Sequence, residues 1–532
     1  MFSPKTHQNI YLSGLAVIIF GLVTWVRIRL LGLPIERDEG EYAYMAQQLL
    51  QGVLPYTESQ SMKFPGIYFV YAGILTFFGE SPSAIHLSLV FINFATAYFI
   101  FLLGKELLNL SSGIFSAVCF SVLTLSPSFQ GLWANAEHFV LLPGVAGIYI
   151  LYMAKDRPGY FFLSGLLLGI ALLIKQHAVF FGLFGVLYLG LLVLGKSLPF
   201  KSPLKPLVLF VLGGVTPLIM SAALYGASGN ISELWFCTVR YASEYVSLIS
   251  IGEGYKNFKY NFAQIIETNF TILWLSLVGI SSVAWVKNKN REYLFLFGIF
   301  VCLFFAVAPG LYFRPHYFLL WAPAISLLAG AGMEGLVQGV TSFKLENATR
   351  VGIFILALGV PFLIQKNTFF KLPALQVTRL VYGLNPFPES QEVARFIRNH
   401  SEEMDQLAIL GSEPEIYFFS KRKSATRFIY MFPLMEEQKF AREMQAELVR
   451  EIEEVQPEFV VEAHLGQPWV SLKQHISPML KEWSQGYLED NYQIQGVADI
   501  FANRETIYKW GEQAKEYHPQ SRYHLLVYKK RS

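Results

Sequence analysis

Long apolar stretches recur through the first two thirds of the chain, and they limit its possible folds more than any other feature. About eleven of them are long enough to cross roughly 30 Å of bilayer hydrocarbon as helices. They lie near residues 9–30, 83–105, 111–129, 131–153, 159–175, 177–195, 206–226, 266–286, 292–310, 315–338 and 350–367. Hydrophobic residues make up 53% of the 532 positions and the mean hydropathy is +0.39, which is too apolar for a soluble protein of this length. The sequence therefore predicts a polytopic α-helical membrane protein.

A further apolar stretch at 64–79 decides the predicted topology. If it does not cross and the N-terminus is cytoplasmic, every clear basic cluster between spans lies on the cytoplasmic side, as the positive-inside rule requires. These clusters are at 105–111, 155–157, 196–205, 287–291 and 344–350. Because Pro65 and Gly66 also disfavour a helix start here, we expect a re-entrant or interfacial segment. An odd number of spans then places the C-terminus outside.

Charged residues become frequent after about residue 368, and no further span follows. Residues 391–399 and 438–455 have helical periodicity, whereas 406–411 and 457–462 have the pattern of short buried strands. We therefore expect a transmembrane domain over 1–367, with its first outer loop at 33–82, and an extracytoplasmic α/β domain over 368–532. The 42 basic and 39 acidic residues nearly balance, so the charge gives no indication of a nucleic-acid partner.

The first outer loop concentrates acidic residues beside the membrane. Residues 40–53 predict an amphipathic helix along the interface, and Asp38 stands where this helix would begin, as an N-cap with Glu41 three positions later. A carboxylate in such a place can take a proton from an attacking hydroxyl or amine. Because helical neighbours diverge by about 100°, we predict that Asp38 rather than Glu39 faces the site. Glu39 is then either a second catalytic acid or a solvated, dipole-stabilised acid of the first turn.

Basic residues gather on the same predicted outer face. Phosphate is their natural ligand, since arginine binds it bidentately and lysine binds it as a point charge. Taken singly, each Arg or Lys is more often an interfacial anchor, whereas the whole group on the side disfavoured for positive charge favours a ligand. Glu137 lies near the outer end of a span, where an ionised side chain is costly, and it is predicted either to face the site or to snorkel. The basic residues are Arg27, Arg29, Lys63, Lys175, His177, Arg314 and His316.

Four short motifs resemble those of one enzyme family: 37–42 (RDEGEY), 63–65 (KFP), 175–177 (KQH) and 314–317 (RPHY). The sequence resembles the membrane glycosyltransferases of the protein O-mannosyltransferase-like superfamily, which comprises glycosyltransferase family 39 and bacterial relatives such as the lipid A aminoarabinose transferases. In the last domain, residues 411–417 and 425–428 look like the outer domain of the bacterial members. The resemblance implies a GT-C fold, in which the first outer loop carries the catalytic acid and the donor is a polyprenyl-phosphate sugar.

The resemblance also implies roles for individual residues. Asp38 matches the acid of the first loop, with Glu39 beside it, and Lys63 matches a lysine before a proline pair whose first member is here replaced by Phe64. Some relatives use a divalent metal at the leaving phosphate, and acidic residues here could supply oxygen ligands, so the metal is left open. The expected substrate-binding residues are Arg27, Lys63, Glu137, Lys175, His177, Arg314, His316 and Tyr317.

The expected reaction moves a sugar from polyprenyl phosphate to an acceptor hydroxyl or amine by a single inverting displacement. The acceptor is a protein, a lipid or a glycan on the outer face of a bacterial inner (plasma) membrane. Two other functions remain open: a transporter or flippase of lipid-linked sugars, in which the cations bind phosphate without chemistry, and a scaffold that works through its outer domain. A predicted loop at 227–265, with Tyr241, Tyr245, Tyr255 and Tyr260, either contacts sugar or forms an interfacial aromatic belt.

Overall fold

The computed structural model describes residues 4–196, 202, 204–286, 288–339, 343–465 and 478–531. The basic clusters predicted at 196–205 and 287–291 lie partly outside these residues. The described residues up to 364 are almost entirely helical. The helices are α1 (Pro4–Arg29), α2 (Arg37–Leu50), α3 (Gly66–Phe78), α4 (Pro82–Leu107), α5 (Leu110–Leu123), α6 (Ala136–Met153), α7 (Pro158–Ile174), α8 (Val179–Leu194), α9 (Lys205–Ala227), α10 (Ile231–Trp235), α11 (Ala242–Val246), α12 (Ile251–Ser281), α13 (Asn290–Val307), α14 (Ala322–Gln338) and α15 (Phe343–Ile364).

Nine helical segments within the described residues are long and apolar enough to cross a membrane. They correspond to nine of the predicted spans, and the other two predicted spans are the shorter apolar helices α5 and α7. Helix α3 has 13 residues, which is about 20 Å at 1.5 Å per residue and too short for the hydrocarbon layer. The chain is therefore a multi-pass membrane protein, while the number of crossings remains a prediction.

The C-terminal part is an α/β domain, as predicted. Its sheet has the strand order β2-β1-β3-β6-β4-β5, with parallel pairing on the β2-β1-β3 side and antiparallel pairing on the other. Strands β1 and β3 confirm the two predicted strands, whereas the last three strands were not predicted. The elements are α16 (Lys366–Phe370), α17 (Ala374–Tyr382), α18 (Phe387–Asn399), β1 (Gln406–Leu410), α19 (Glu415–Ser420), β2 (Lys423–Ser424), α20 (Phe432–Met435), α21 (Ala441–Val455), β3 (Phe459–Leu465), α22 (Pro478–Asn491), β4 (Tyr492–Ile500), β5 (Ile507–Trp510), α23 (Glu512–Lys515) and β6 (Tyr523–Lys530).

Helix α2 lies between the membrane helices and the C-terminal domain. It packs against α3 on one side and α19 on the other, and a Cβ atom added to Gly40 would lie 2.6 Å from the backbone nitrogen of Glu415. All residues from 39 to 48 are buried. The prediction that the polar face of this helix is open at the interface is therefore wrong, because the C-terminal domain covers it.

The segment at 227–265 is also not the predicted loop. It contains α10, α11 and a π-helical turn at Phe236–Tyr241, and α12 begins at Ile251. The predicted span at 266–286 is thus the second half of a long helix. Tyr255 and Tyr260 lie on the exposed surface of its first half.

Candidate functional site

The first turn of α2 is held by a capping box that involves two glutamates. Glu36 Oε1 accepts a hydrogen bond from the backbone N–H of Glu39 at 3.1 Å, and Glu39 Oε2 accepts one from the backbone N–H of Glu36 at 2.9 Å. The predicted N-cap role of Asp38 is therefore wrong, because the reciprocal pair starts the helix two residues earlier. Asp38 is left free to project from the first turn, and Glu41, three residues on, shares its face.

Lys63 joins these two carboxylates. Its Nζ lies 2.9 Å from Asp38 Oδ1 and 2.7 Å from Glu41 Oε2, and 4.7 Å from the centre of the Tyr42 ring. Burial opposes the charge on Asp38, yet the neighbouring positive charge, that of Lys63 above all, outweighs burial and holds the Asp38 pKa below its usual value. The same two carboxylates raise the pKa of Lys63 against the effect of burial. Asp38 and Lys63 are therefore both charged at neutral pH.

Glu39 is directed away from this cluster and into the protein. Besides the cap, its Oε1 accepts hydrogen bonds from the backbone N–H of Ala134 at 2.5 Å and contacts His86 Nε2 at 3.0 Å. Its side chain is fully buried. The alternative of a solvated acid is therefore wrong, and Glu39 ties α2 to α4 and to the segment before α6.

A cavity of about 310 Å³ opens beside Asp38 and Lys63. It brings together six of the ten residues that the sequence proposed for the site, and the C-terminal domain closes it with side chains that include Tyr430 and Glu436. The six are Asp38, Lys63, Lys175, His177, Arg314 and Tyr317.

Lys175 is anchored by the buried carboxylate of Glu137, with which it forms an ion pair. Its ammonium also lies 4.5 Å from the centre of the Tyr317 ring. Glu137 itself does not line the cavity, so it acts on the cavity through Lys175. His177 contacts the backbone oxygen of Ala306 through Nδ1 at 2.8 Å.

The segment before Arg314 has an unusual backbone. Leu311 and Phe313 have positive φ angles of 56° and 45°, a conformation that non-glycine residues adopt mostly where surrounding structure imposes it. Two asparagines on one face of α12 hold their carbonyls: Asn257 donates to Leu311 O at 3.3 Å and Asn261 donates to Phe313 O at 3.0 Å. Arg314 is exposed and donates to Tyr245 OH at 3.3 Å.

Two of the residues that were predicted to bind substrate, Arg27 and His316, do not line the first cavity. Arg27 is buried and donates to the backbone oxygens of Thr124 at 2.8 Å and Gly131 at 3.3 Å, so it fixes the segment between α5 and α6 and does not reach the cavity. His316 lines a second, smaller cavity that shares Asp38 with the first. The four predicted residues outside the first cavity are thus Glu39, Glu137, Arg27 and His316.

Sequence reasoning missed two carboxylates of the first cavity. Glu41 was interpreted only as a capping partner, although its spacing of three from Asp38 indicates a shared face. It holds Lys63 and accepts hydrogen bonds from Ser61 Oγ at 2.6 Å and Tyr68 OH at 2.9 Å. No pattern in the sequence indicates that Glu436 belongs to the site. Its burial raises its pKa to about 7, with Arg314 opposing the rise.

The carboxylates of this site are arranged for an ammonium group rather than a divalent metal. Asp38 and Glu41 each direct an oxygen to Lys63, which thereby takes the position between them. In the part of the chain that the structure describes, three or more His, Cys, Asp or Glu side chains nowhere form a cluster suited to a metal. We therefore assign no step to a metal.

Comparison with known proteins supports the resemblance in the sequence. A family model described as dolichyl-phosphate-mannose-protein mannosyltransferase matches residues 62–220, which include Lys63, Glu137 and Lys175. The computed structure is similar to ArnT from Cupriavidus metallidurans in the apo state, with a TM-score of 0.55, 13% identity and coverage of 99% of this chain and 98% of that chain. The chain has the GT-C fold.

Two further structures agree with this fold. The ArnT structure bound to undecaprenyl phosphate has a TM-score of 0.52 at 13% identity, covering 98% of this chain and 97% of that chain. The Archaeoglobus fulgidus oligosaccharyltransferase tethered with an acceptor peptide has a TM-score of 0.54 at 11% identity, covering 94% of this chain and 74% of that chain. No curated protein sequence matches the chain.

Proposed function

We propose that the protein is a membrane glycosyltransferase that moves a sugar from a polyprenyl-phosphate donor to an acceptor hydroxyl or amine, with Asp38 as the base. The observation that carries the proposal is the cluster of Asp38, Lys63 and Arg314 around one cavity beneath the C-terminal domain. The family match and the bound undecaprenyl phosphate of a protein with the same fold support the choice of donor class.

The first step is docking of the donor phosphate. Arg314 is the natural contact, because within the described residues it forms no ion pair with a carboxylate and it is exposed at the cavity. Lys63 and Lys175, in contrast, are each held by carboxylates. A phosphate between Arg314 and Lys63 would draw the Lys63 ammonium away from Asp38. The pKa of Asp38 would then rise from its depressed value, which makes Asp38 a better base.

The second step is the displacement. The acceptor oxygen or nitrogen forms a bond to the anomeric carbon while the bond from that carbon to the phosphate oxygen breaks. The acceptor proton passes to Asp38, and polyprenyl phosphate leaves with its new negative charge held by Arg314 and Lys63. A single displacement of this kind inverts the anomeric configuration. Glu41 and Glu137 keep the two lysines in place and do not touch the reacting atoms.

The proposed orientation of the protein in the membrane follows from the distribution of basic residues between the spans. The catalytic cavity and the C-terminal domain lie on the outer face of a bacterial inner membrane, with the N-terminus cytoplasmic. The acceptor approaches from that face. Protein surfaces outside the cluster around Asp38 determine whether the acceptor is a protein, a lipid or a glycan.

The test uses purified protein in detergent with a pool of radiolabelled undecaprenyl-phosphate sugars and a crude envelope extract as acceptor. The wild type is expected to transfer label, Asp38→Asn to lose transfer, and the matched control Asp156→Asn, at an exposed position, to retain it. If wild type and Asp38→Asn both bind undecaprenyl phosphate and neither transfers label, the proposal fails and the transporter becomes the better interpretation.

A further inference from the structure

A second cavity of about 180 Å³ adjoins the first at Asp38. The two cavities share Asp38, Arg314 and Tyr430 as lining residues. The second cavity is therefore within reach of a ligand that contacts Asp38 and Arg314. Its volume of about 180 Å³ corresponds to about six water molecules at roughly 30 Å³ each, which is enough for one small polar ring.

The lining of the second cavity differs chemically from that of the first. Apart from the residues that the two cavities share, the first is lined by Lys63, Lys175 and many apolar side chains, whereas Pro315 and Phe387 are the apolar residues that line the second. Burial and the neighbouring charges of Asp38 and Glu39 raise the pKa of Glu36, which favours its neutral form. Arg37 also borders the cavity, but it already donates to Ser412 O at 2.5 Å and Asn385 Oδ1 at 3.2 Å. The polar residues particular to this cavity are Glu36, Gln130, His316, Tyr382 and Asn385.

His316 supplies a polar atom that lacks a partner. Its side chain is buried, Nδ1 lies 2.7 Å from Gln130 Oε1, and Nε2 is buried without a hydrogen-bond partner. Because an amide oxygen accepts, Nδ1 carries the proton and Nε2 carries a lone pair. A buried acceptor without a partner costs about 1–3 kcal/mol, and a ligand hydroxyl that donates to Nε2 would remove this cost.

Gln130 is itself held in an uncommon backbone conformation. Its φ angle is 52°, and its N–H donates to Pro127 O at 2.8 Å in the turn that follows α5. This turn presents the Gln130 side chain to His316 at the boundary of the cavity. The contact with Gln130 therefore fixes the tautomer of His316 and leaves Nε2 as an acceptor.

We propose that this second cavity binds a neutral, hydroxyl-rich sugar ring, with His316 Nε2 accepting a hydrogen bond from one of its hydroxyls. The proposal rests on the proposed glycosyltransferase function and adds the subsite that selects the sugar. The size of the cavity, and the lining residues Asp38 and Arg314 that it shares with the first cavity, favour the single sugar of the donor over a sugar of the acceptor. His316 then discriminates among sugars and does not hold the phosphate.

The test compares the affinities of the full-length protein for undecaprenyl phosphate and for undecaprenyl phosphates that carry mannose, glucose, galactose or arabinose. The wild type is expected to prefer at least one sugar-bearing lipid. His316→Ala and Gln130→Ala should each reduce that preference about tenfold, with the affinity for undecaprenyl phosphate unchanged. His518→Ala, at an exposed histidine, is the matched control and should behave as wild type.

The other outcomes also decide the question. An unchanged donor preference with a tenfold higher acceptor KM would assign the ring to an acceptor glycan and support a sugar subsite. An equal loss of affinity for lipids with and without sugar would make the cavity part of the phosphate site and overturn the proposal, as would unaltered values for both variants. Failure of the wild type to transfer sugar would overturn the glycosyltransferase function alone, because the lipid affinities are measured without turnover.

Discussion

The two faces of the first turn of α2 differ in what their carboxylates do. On one face, Asp38 and Glu41 share Lys63 at a cavity, and each has an oxygen within 3 Å of its ammonium group. On the other face, Glu39 is fully buried and bound to two backbone N–H groups and to His86. Carboxylates that are adjacent in the sequence therefore have different roles. Asp38 can exchange its ion-pair partner, whereas Glu39 fixes the position of the helix.

The largest effect on stability is expected for Glu39→Gln. The amide group cannot accept from both backbone N–H groups, so one donor is left facing an NH₂ group inside the protein. We expect a loss of about 3 kcal/mol, seen as a lower thermal midpoint in detergent, while the protein that remains folded keeps its transfer rate. Glu505→Gln, at an exposed position, is the control. If the variant were as stable as the wild type but did not transfer sugar, Glu39 would be a catalytic residue.

Gly40→Ala tests the contact between the same helix and the C-terminal domain. The new Cβ atom would lie 2.6 Å from the nitrogen and 2.9 Å from the Cα of Glu415, and backbone atoms cannot turn aside. We expect α2 and α19 to separate at a cost of about 1–3 kcal/mol, with faster proteolysis of the C-terminal domain. Gly73→Ala, where nothing lies within 4 Å of the new atom, should be neutral. Equal behaviour of the two variants would contradict the packing described.

Asn261→Leu tests the backbone that presents Arg314. The variant loses the hydrogen bond to Phe313 O, worth about 1 kcal/mol, and should bind undecaprenyl phosphate roughly fivefold more weakly with little change in thermal midpoint. Asn491→Leu, at an exposed helix position, is the control. Unchanged affinity of Asn261→Leu would mean that Arg314 does not contact the phosphate.

The smallest effect is expected at Glu436, whose pKa is raised to about 7 by burial. As pH rises from 6 to 8, Glu436 loses its proton and adds a negative charge to the cavity, which opposes an anionic ligand. Glu436→Gln should therefore bind undecaprenyl phosphate as tightly as the wild type at pH 6, but about twofold to threefold more tightly at pH 8. Binding isotherms at both pH values check this, and a ratio independent of pH would contradict it.

The sequence predicted the parts of this architecture that depend on local pattern. Hydropathy located the spans, and the charge of Asp38, Lys63 and Arg314 predicted three residues that meet at one cavity. Helical geometry also predicted that Asp38 and Glu39 diverge. The same geometry could have identified Glu41, but the assumed start of the helix at Asp38 gave Glu41 a capping role.

The remaining features depend on tertiary contacts that one sequence does not encode in a readable pattern. The polar face of α2 is buried only because α19 covers it, and the cap at Glu36, although local, uses a residue type outside the usual N-cap set. Arg27 was predicted to bind phosphate because it is a cation at the end of a span, yet its guanidinium donates hydrogen bonds to two backbone carbonyls. Tyr430 and Glu436 reach the cavity across nearly 400 residues of chain, so neither composition nor spacing indicates them.

The most direct test of the central claim is the single-turnover rate of sugar transfer for Asp38→Asn and Glu39→Gln, measured together with thermal midpoint and affinity for undecaprenyl phosphate. We predict that Asp38→Asn slows transfer about 10²–10⁴-fold while it keeps the midpoint of the wild type and binds the lipid at least as tightly, because Lys63 loses one of its two carboxylate partners. Glu39→Gln should show the reverse, with a lower midpoint and a rate near that of the wild type. A transfer rate for Asp38→Asn within a few-fold of the wild type would contradict the assignment of Asp38 as the base.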